Sequence, residues 1–128
     1  MRLASLIVLV AIAVSACTSS RISDPRAQAL LALPGPQHFA ERRVARELAD
    51  RCNSYVFDAD LASDMNAARA DSADAAVKLR GAIALETNIK RRSLGARYGG
   101  LYATLDPCVI LGSELQANTP LSVMVLKK

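Results

Sequence analysis

Residues 60–97 read DLASDMNAARADSADAAVKLRGAIALETNIKRRSLGAR, and the fold class turns on the phase of this stretch. At about 100° per residue, Leu61, Met65, Ala68, Ala75, Ala76, Leu79 and Ile83 fall on one face of a helix. The preserved phase predicts a single long helix. Against it, Asp71, Ser72, Ala73 and Asp74 resemble a fresh helix start with acids in the first turn. One helix and two therefore both remain open. Gly99 and Gly100 supply the stop.

The same punctuation recurs on both sides. Asp24-Pro25 offers an N-cap followed by proline, which suits a first helical turn. RAQALLAL continues helically until Pro34, Gly35 and Pro36 end it. A second helix is expected over 37–51, with Phe39, Val44, Leu48 and Cys52 as an imperfect apolar stripe. Asn53-Ser54 interrupts, and Tyr55, Val56 and Phe57 form a short apolar patch before Asp58 or Asp60 caps the next helix. Asp106-Pro107 opens a helix running towards Gln116, Ala117 and Asn118. Thr119-Pro120 repeats the device before LSVMVL at 121–126, where a short helix and an edge strand are both compatible with the composition. These starts predict an all-α bundle of about four helices.

Composition bounds the remainder. The chain has 128 residues, 52% of them hydrophobic, but three Tyr, two Phe and no Trp. A core of Leu, Ile, Val and Ala is therefore expected, in one small domain over 24–128. The net charge is +4, or +3 without Arg2, which is too mild to point to nucleic acid. Nothing in the sequence fixes an oligomeric state.

The amino terminus carries a different kind of information. After Met1 and Arg2, residues 3–16 (LASLIVLVAIAVSA) form an uncharged run of 14. A bilayer-spanning helix needs about 20 apolar residues, so the run has the proportions of a secretory signal instead. Val14, Ser15, Ala16 and Cys17 resemble the lipobox of bacterial lipoproteins: an aliphatic residue, two small residues, then cysteine. An ordinary signal-peptidase site would also accept Val-Ser-Ala. The resemblance implies cleavage after residue 16, acylation of Cys17, and a short linker over 17–23. Two or three acyl chains would hold the protein to membrane lipid, since one alone binds marginally. In Gram-negative lipoproteins an aspartate after the cysteine commonly marks inner-membrane retention; this chain has Thr18, so the resemblance implies the periplasmic face of the outer membrane.

If Cys17 is acylated, Cys52 and Cys108 are left as an exported pair, and such pairs commonly form a disulfide. The bundle would then be stapled. Two separate buried thiols remain an alternative. A redox pair is disfavoured by the lack of CxxC, and a metal site by the presence of a single histidine, His38.

Motifs for catalysis are missing: there is no GxSxG, no Gly-rich phosphate loop and no HExxH. No catalytic residue, cofactor or metal site is expected. His38, directly after a Pro-Gly-Pro turn, reads as an exposed surface residue. Glu86 lies near the Leu79/Ile83 face, either as a buried carboxylate or as a solvated i,i+4 partner of Lys90. Lys90, Arg91, Arg92 and Arg97 form the densest charge cluster. They either complement a helix C-terminus or contact an anionic partner such as lipid headgroups, a cell-wall polymer or an acidic envelope protein. Lys128 resembles, in that residue alone, the ending of outer-membrane lipoproteins joined to peptidoglycan through a C-terminal lysine. The sustained heptads of that family are absent, and a flexible charged tail is the simpler reading. The expectation is a noncatalytic envelope module, with a cell-wall tether or an enzyme as its rivals.

Overall fold

The structure, a computed structural model, describes residues 20–70 and 72–128. Cys17 and the apolar run before it lie outside the described residues. The described chain is mostly helical, as the proline-capped starts predict. A 3₁₀ turn, Ser20–Ser23, leads into α1, Pro25–Ala32. The Asp24 carboxylate accepts from the Arg26 amide at 2.8 Å, closing one of the unpaired donors of the first turn.

Helix α2, Gly35–Asp50, begins two residues before the expected start. Pro34 is its N-cap in an extended conformation, and Pro36 sits in the first turn, where no amide donor is required. The Pro-Gly-Pro segment is thus less a stop than a hinge between two helices. α2 is the centre of the domain. Its Val44, Ala45, Leu48 and Ala49 are buried against Ala27 and Leu30 of α1 and the rest of one continuous core.

Tyr55–Phe57 is not merely an apolar patch but strand β1. It pairs antiparallel with β2, Val125–Lys127, in the register Tyr55 to Lys127, Val56 to Leu126 and Phe57 to Val125. Both readings of the C-terminal segment hold in part: Pro120–Met124 is a 3₁₀ helix, and the strand follows it. The tail is not loose, because the Lys128 amide donates to the Ser54 carbonyl at 3.0 Å.

The stretch 60–97 is neither one helix nor two. It forms α3 (Ala59–Ala68), α4 (Ser72–Lys78) and α5 (Arg80–Tyr98), which raises the bundle from about four helices to six among the described residues. Arg69 turns extended, and its guanidinium donates to the Leu31 and Leu33 carbonyls at 3.1 and 3.0 Å. The end of α3 is thereby spent on closing the end of α1. A weak stripe permits the break. Leu61, Met65 and Ile83 are buried, but Ala68 and Ala76 are exposed and offer little apolar area to hold one straight rod. Within α5 the core-facing residues are Ile83, Thr87, Leu94 and Gly95.

Gly99 ends α5 in the left-handed region at φ 77°, as the sequence anticipates. The chain then folds back so closely that a Cβ on Gly95 would lie 2.6 Å from the Gly100 carbonyl oxygen. Gly95→Ala therefore sets a small gain in helix propensity against a backbone clash. A net loss of about 1–2 kcal/mol is expected from urea unfolding. Equal or greater stability would show that the 99–101 turn can move aside.

α6, Pro107–Gln116, starts on the Asp106 cap, whose carboxylate accepts from the Cys108 amide at 2.8 Å. Cys52, just past α2, and Cys108, in the first turn of α6, are joined by a disulfide with a Cα–Cα distance of 5.2 Å. The staple ties the helix at the centre of the core to the last helix of the bundle.

Candidate functional site

The expected basic cluster is largely spent on internal pairing. Lys90 Nζ lies 3.0 Å from Glu41 Oε1, Arg91 pairs with Glu47, and Arg97 Nη1 lies 2.8 Å from Glu114 Oε1. Glu47 also accepts from the Tyr102 hydroxyl at 3.1 Å. Burial, then the adjacent Glu47 charge, push the Tyr102 phenol well above its ordinary titration range. Arg92 alone of the four is exposed with no carboxylate partner among the described residues. The cluster mostly fastens α5 to α2 and α6.

Glu86 takes neither expected role cleanly. It is half-buried at the rim of a cavity of about 230 Å³ that it shares with Leu33, Gln37, Glu41, Ile89 and Lys90. Its i,i+4 neighbour Lys90 is drawn across to Glu41 instead. Glu41 Oε2, inside the same contact, is buried with no hydrogen-bond partner among the described residues.

A further group of cations without carboxylate partners among the described residues lies on α2. Phe39, Arg42, Arg43 and Arg46 are spaced i, i+3, i+4, i+7, which sets them along one face of that helix. Phe57 from β1, Ala76 from α4 and Ile83 from α5 complete a groove of about 230 Å³ around them. The Arg46 guanidinium lies over the Phe57 ring at 4.5 Å, and that of Arg42 over Phe39 at 5.3 Å. Both phenylalanines of the chain are used in this way.

His38 is a correction to the sequence reading. It is fully buried, not exposed, because the tight α1–α2 hinge brings its ring under the last turn of α1. Its Nδ1 lies 2.8 Å from the Leu30 carbonyl, which can only accept, so Nδ1 carries a proton. In the neutral ring Nε2 then accepts from Arg42 Nη1 at 3.2 Å, and the same Nη1 donates to Asn66 Oδ1 at 2.7 Å. Arg42 is thus positioned by two neutral acceptors. Burial, then repulsion from Arg46 and Arg69, make Arg42 a weaker base than an ordinary arginine.

No family model, curated protein or solved structure matches the chain. The site is therefore to be read from its own chemistry. Three guanidiniums beside two aromatic rings form a surface for an anion with an apolar part. Sequence reasoning passed over it because 90–92 is denser in charge along the chain. The usable signal was the Phe39/Arg42/Arg43/Arg46 spacing on one helical face. Elsewhere, Leu85 and Ile89 are exposed on α5, and Val77 is exposed on α4. No described helix is long and apolar enough to cross a membrane.

Proposed function

We propose that this chain is a noncatalytic module of a bacterial envelope, held at the periplasmic face of the outer membrane by acyl chains on Cys17. The observation that carries the reading is Val14-Ser15-Ala16-Cys17 closing an uncharged run of 14 residues. Two further features support it. The disulfide occupies Cys52 and Cys108, so Cys17 is the remaining one of three cysteines. A disulfide-stapled small domain also suits an oxidising compartment. The interaction role is supported by a groove whose cations have no carboxylates of their own, and by a histidine engaged in holding one of them.

The test is the intact mass of the protein extracted unreduced from the membranes of a Gram-negative host. The expected mass begins at Cys17, carries two or three acyl chains and falls by two hydrogen atoms for the Cys52–Cys108 bond. Cys17→Ser should lose the acyl mass and leave the membrane fraction. A cleaved but unacylated wild-type protein would overturn the anchor. Recovery of a Lys128-linked muropeptide after cell-wall digestion would favour a covalent wall tether over an interaction module.

A further inference from the structure

Three of the four basic residues clustered at 90–97 and the three on α2 differ in one respect that decides their use. Lys90, Arg91 and Arg97 each face a carboxylate, whereas no described carboxylate pairs with Arg42, Arg43 or Arg46. Three like charges within two turns of one helix repel one another, and an anion in the groove would relieve that repulsion. Both side-chain bonds of Arg42 run through Nη1, so its Nε and Nη2 retain donors for a ligand. The Phe39 and Phe57 rings hold the Arg42 and Arg46 planes from one side. That arrangement presents a planar fork suited to bidentate contact with phosphate oxygens. Three guanidiniums match a tetrahedral, multiply charged group better than a single carboxylate.

The remaining walls are apolar. Phe57, Ala76 and Ile83 line the groove together with the cations, and its volume of about 230 Å³ exceeds what a bare phosphate would fill. We propose that the α2 groove binds a phosphate ester carried on an apolar body, with the phosphate on Arg42, Arg43 and Arg46 and the body against Phe39, Phe57 and Ile83. His38 is a positioning residue for Arg42. The inference names the ligand chemistry of the module proposed above and rests on that reading only for its binding role. Unacylated protein that binds and acylated protein that does not are distinguishable results.

The test uses the full chain in nonionic micelles, titrated separately with inorganic phosphate, phenyl phosphate and dihexanoyl phosphatidic acid. Binding is followed through the arginine Nε–Hε resonances. At least one ester is expected to bind about tenfold or more tightly than inorganic phosphate. A preference for the short-chain lipid identifies a membrane headgroup as the source; a preference for phenyl phosphate identifies a soluble ester. Arg42→Gln combined with Arg46→Gln should weaken the preferred ester at least tenfold, and Arg92→Gln should leave it unchanged. Arg43→Gln should weaken it about threefold. No described hydrogen bond or ion pair engages Arg43, so this variant keeps its fold. Phe57→Leu should reduce the advantage of the ester over inorganic phosphate. The proposal is overturned if neither ester exceeds inorganic phosphate, or if Arg92→Gln weakens binding as much as the double variant.

Discussion

Removing the Cys52–Cys108 bridge is expected to lower the unfolding free energy by about 4 kcal/mol. The bond spans a sequence separation of 56, so its loss returns a long loop to the unfolded ensemble. A small domain has about 5–15 kcal/mol in total, so the loss is a large share of it. The ends of the bridge are unequal: Cys52 is buried in the core, while Cys108 is half-buried in the first turn of α6. Cys52→Ser adds a hydroxyl to an apolar site and should be slightly worse than Cys108→Ser. The double variant should match either single one within a few tenths of a kcal/mol, because the bond is lost only once. Urea unfolding of the four proteins, with and without reductant, checks this. Reductant should shift the wild-type midpoint towards the variants and leave the double variant where it was. Additive losses from the two single changes would mean that the sulfurs stabilise separately.

The same bond shows how far the sequence could be read. Cap-plus-proline pairs at Asp24-Pro25 and Asp106-Pro107 open α-helices, and Thr119-Pro120 opens a 3₁₀ helix. Each signal is local, a carboxylate or hydroxyl beside a residue already locked near helical φ, so it survives whatever packs around it. The division of 60–97 depends on longer-range terms. Arg69 breaks the rod by reaching carbonyls 36 and 38 positions earlier in the chain, and no periodicity within the segment records that demand. His38 fails for a similar reason. Its polarity and its place beside a turn argue for water, but the hinge at Pro34 brings the Leu30 carbonyl directly onto its ring.

The candidate site follows the same logic. Counting cations along 90–97 found the densest run, and the fold paired three of its four members with carboxylates at 41, 47 and 114. Linear charge density overstates an anion site wherever distant acids fold onto it. The α2 groove is less dense in sequence, yet its Arg42 and Arg46 face rings, and Arg42 neutral acceptors as well. What distinguishes the two clusters is the partner, and partners are a property of the fold.

The second large effect lies at the join of α5 and α6. Arg97→Ala is expected to cost about 3 kcal/mol, more than removal of the charge that it neutralises. Glu114 is fully buried; its Oε1 accepts from Arg97 at 2.8 Å and from the Tyr98 hydroxyl at 3.3 Å. Its Oε2 has no partner among the described residues. Without Arg97 the carboxylate would remain in the core with one phenol to satisfy it, the costly half of a broken buried pair. Glu114→Leu keeps the volume and removes the charge. Arg97, with half of its side chain already exposed, then returns to water, and the cost should be about 1 kcal/mol or less. The Tyr98 phenol, raised first by burial and then by the Glu114 charge, should titrate at lower pH in Glu114→Leu, visible in the ultraviolet absorbance of tyrosinate. Adding Arg97→Ala to Glu114→Leu should cost almost nothing further, because the charge it protects is gone. If Arg97→Ala proves mild and its cost simply adds to that of Glu114→Leu, the pair is a solvated surface contact, and α6 is held by the disulfide and its apolar face alone.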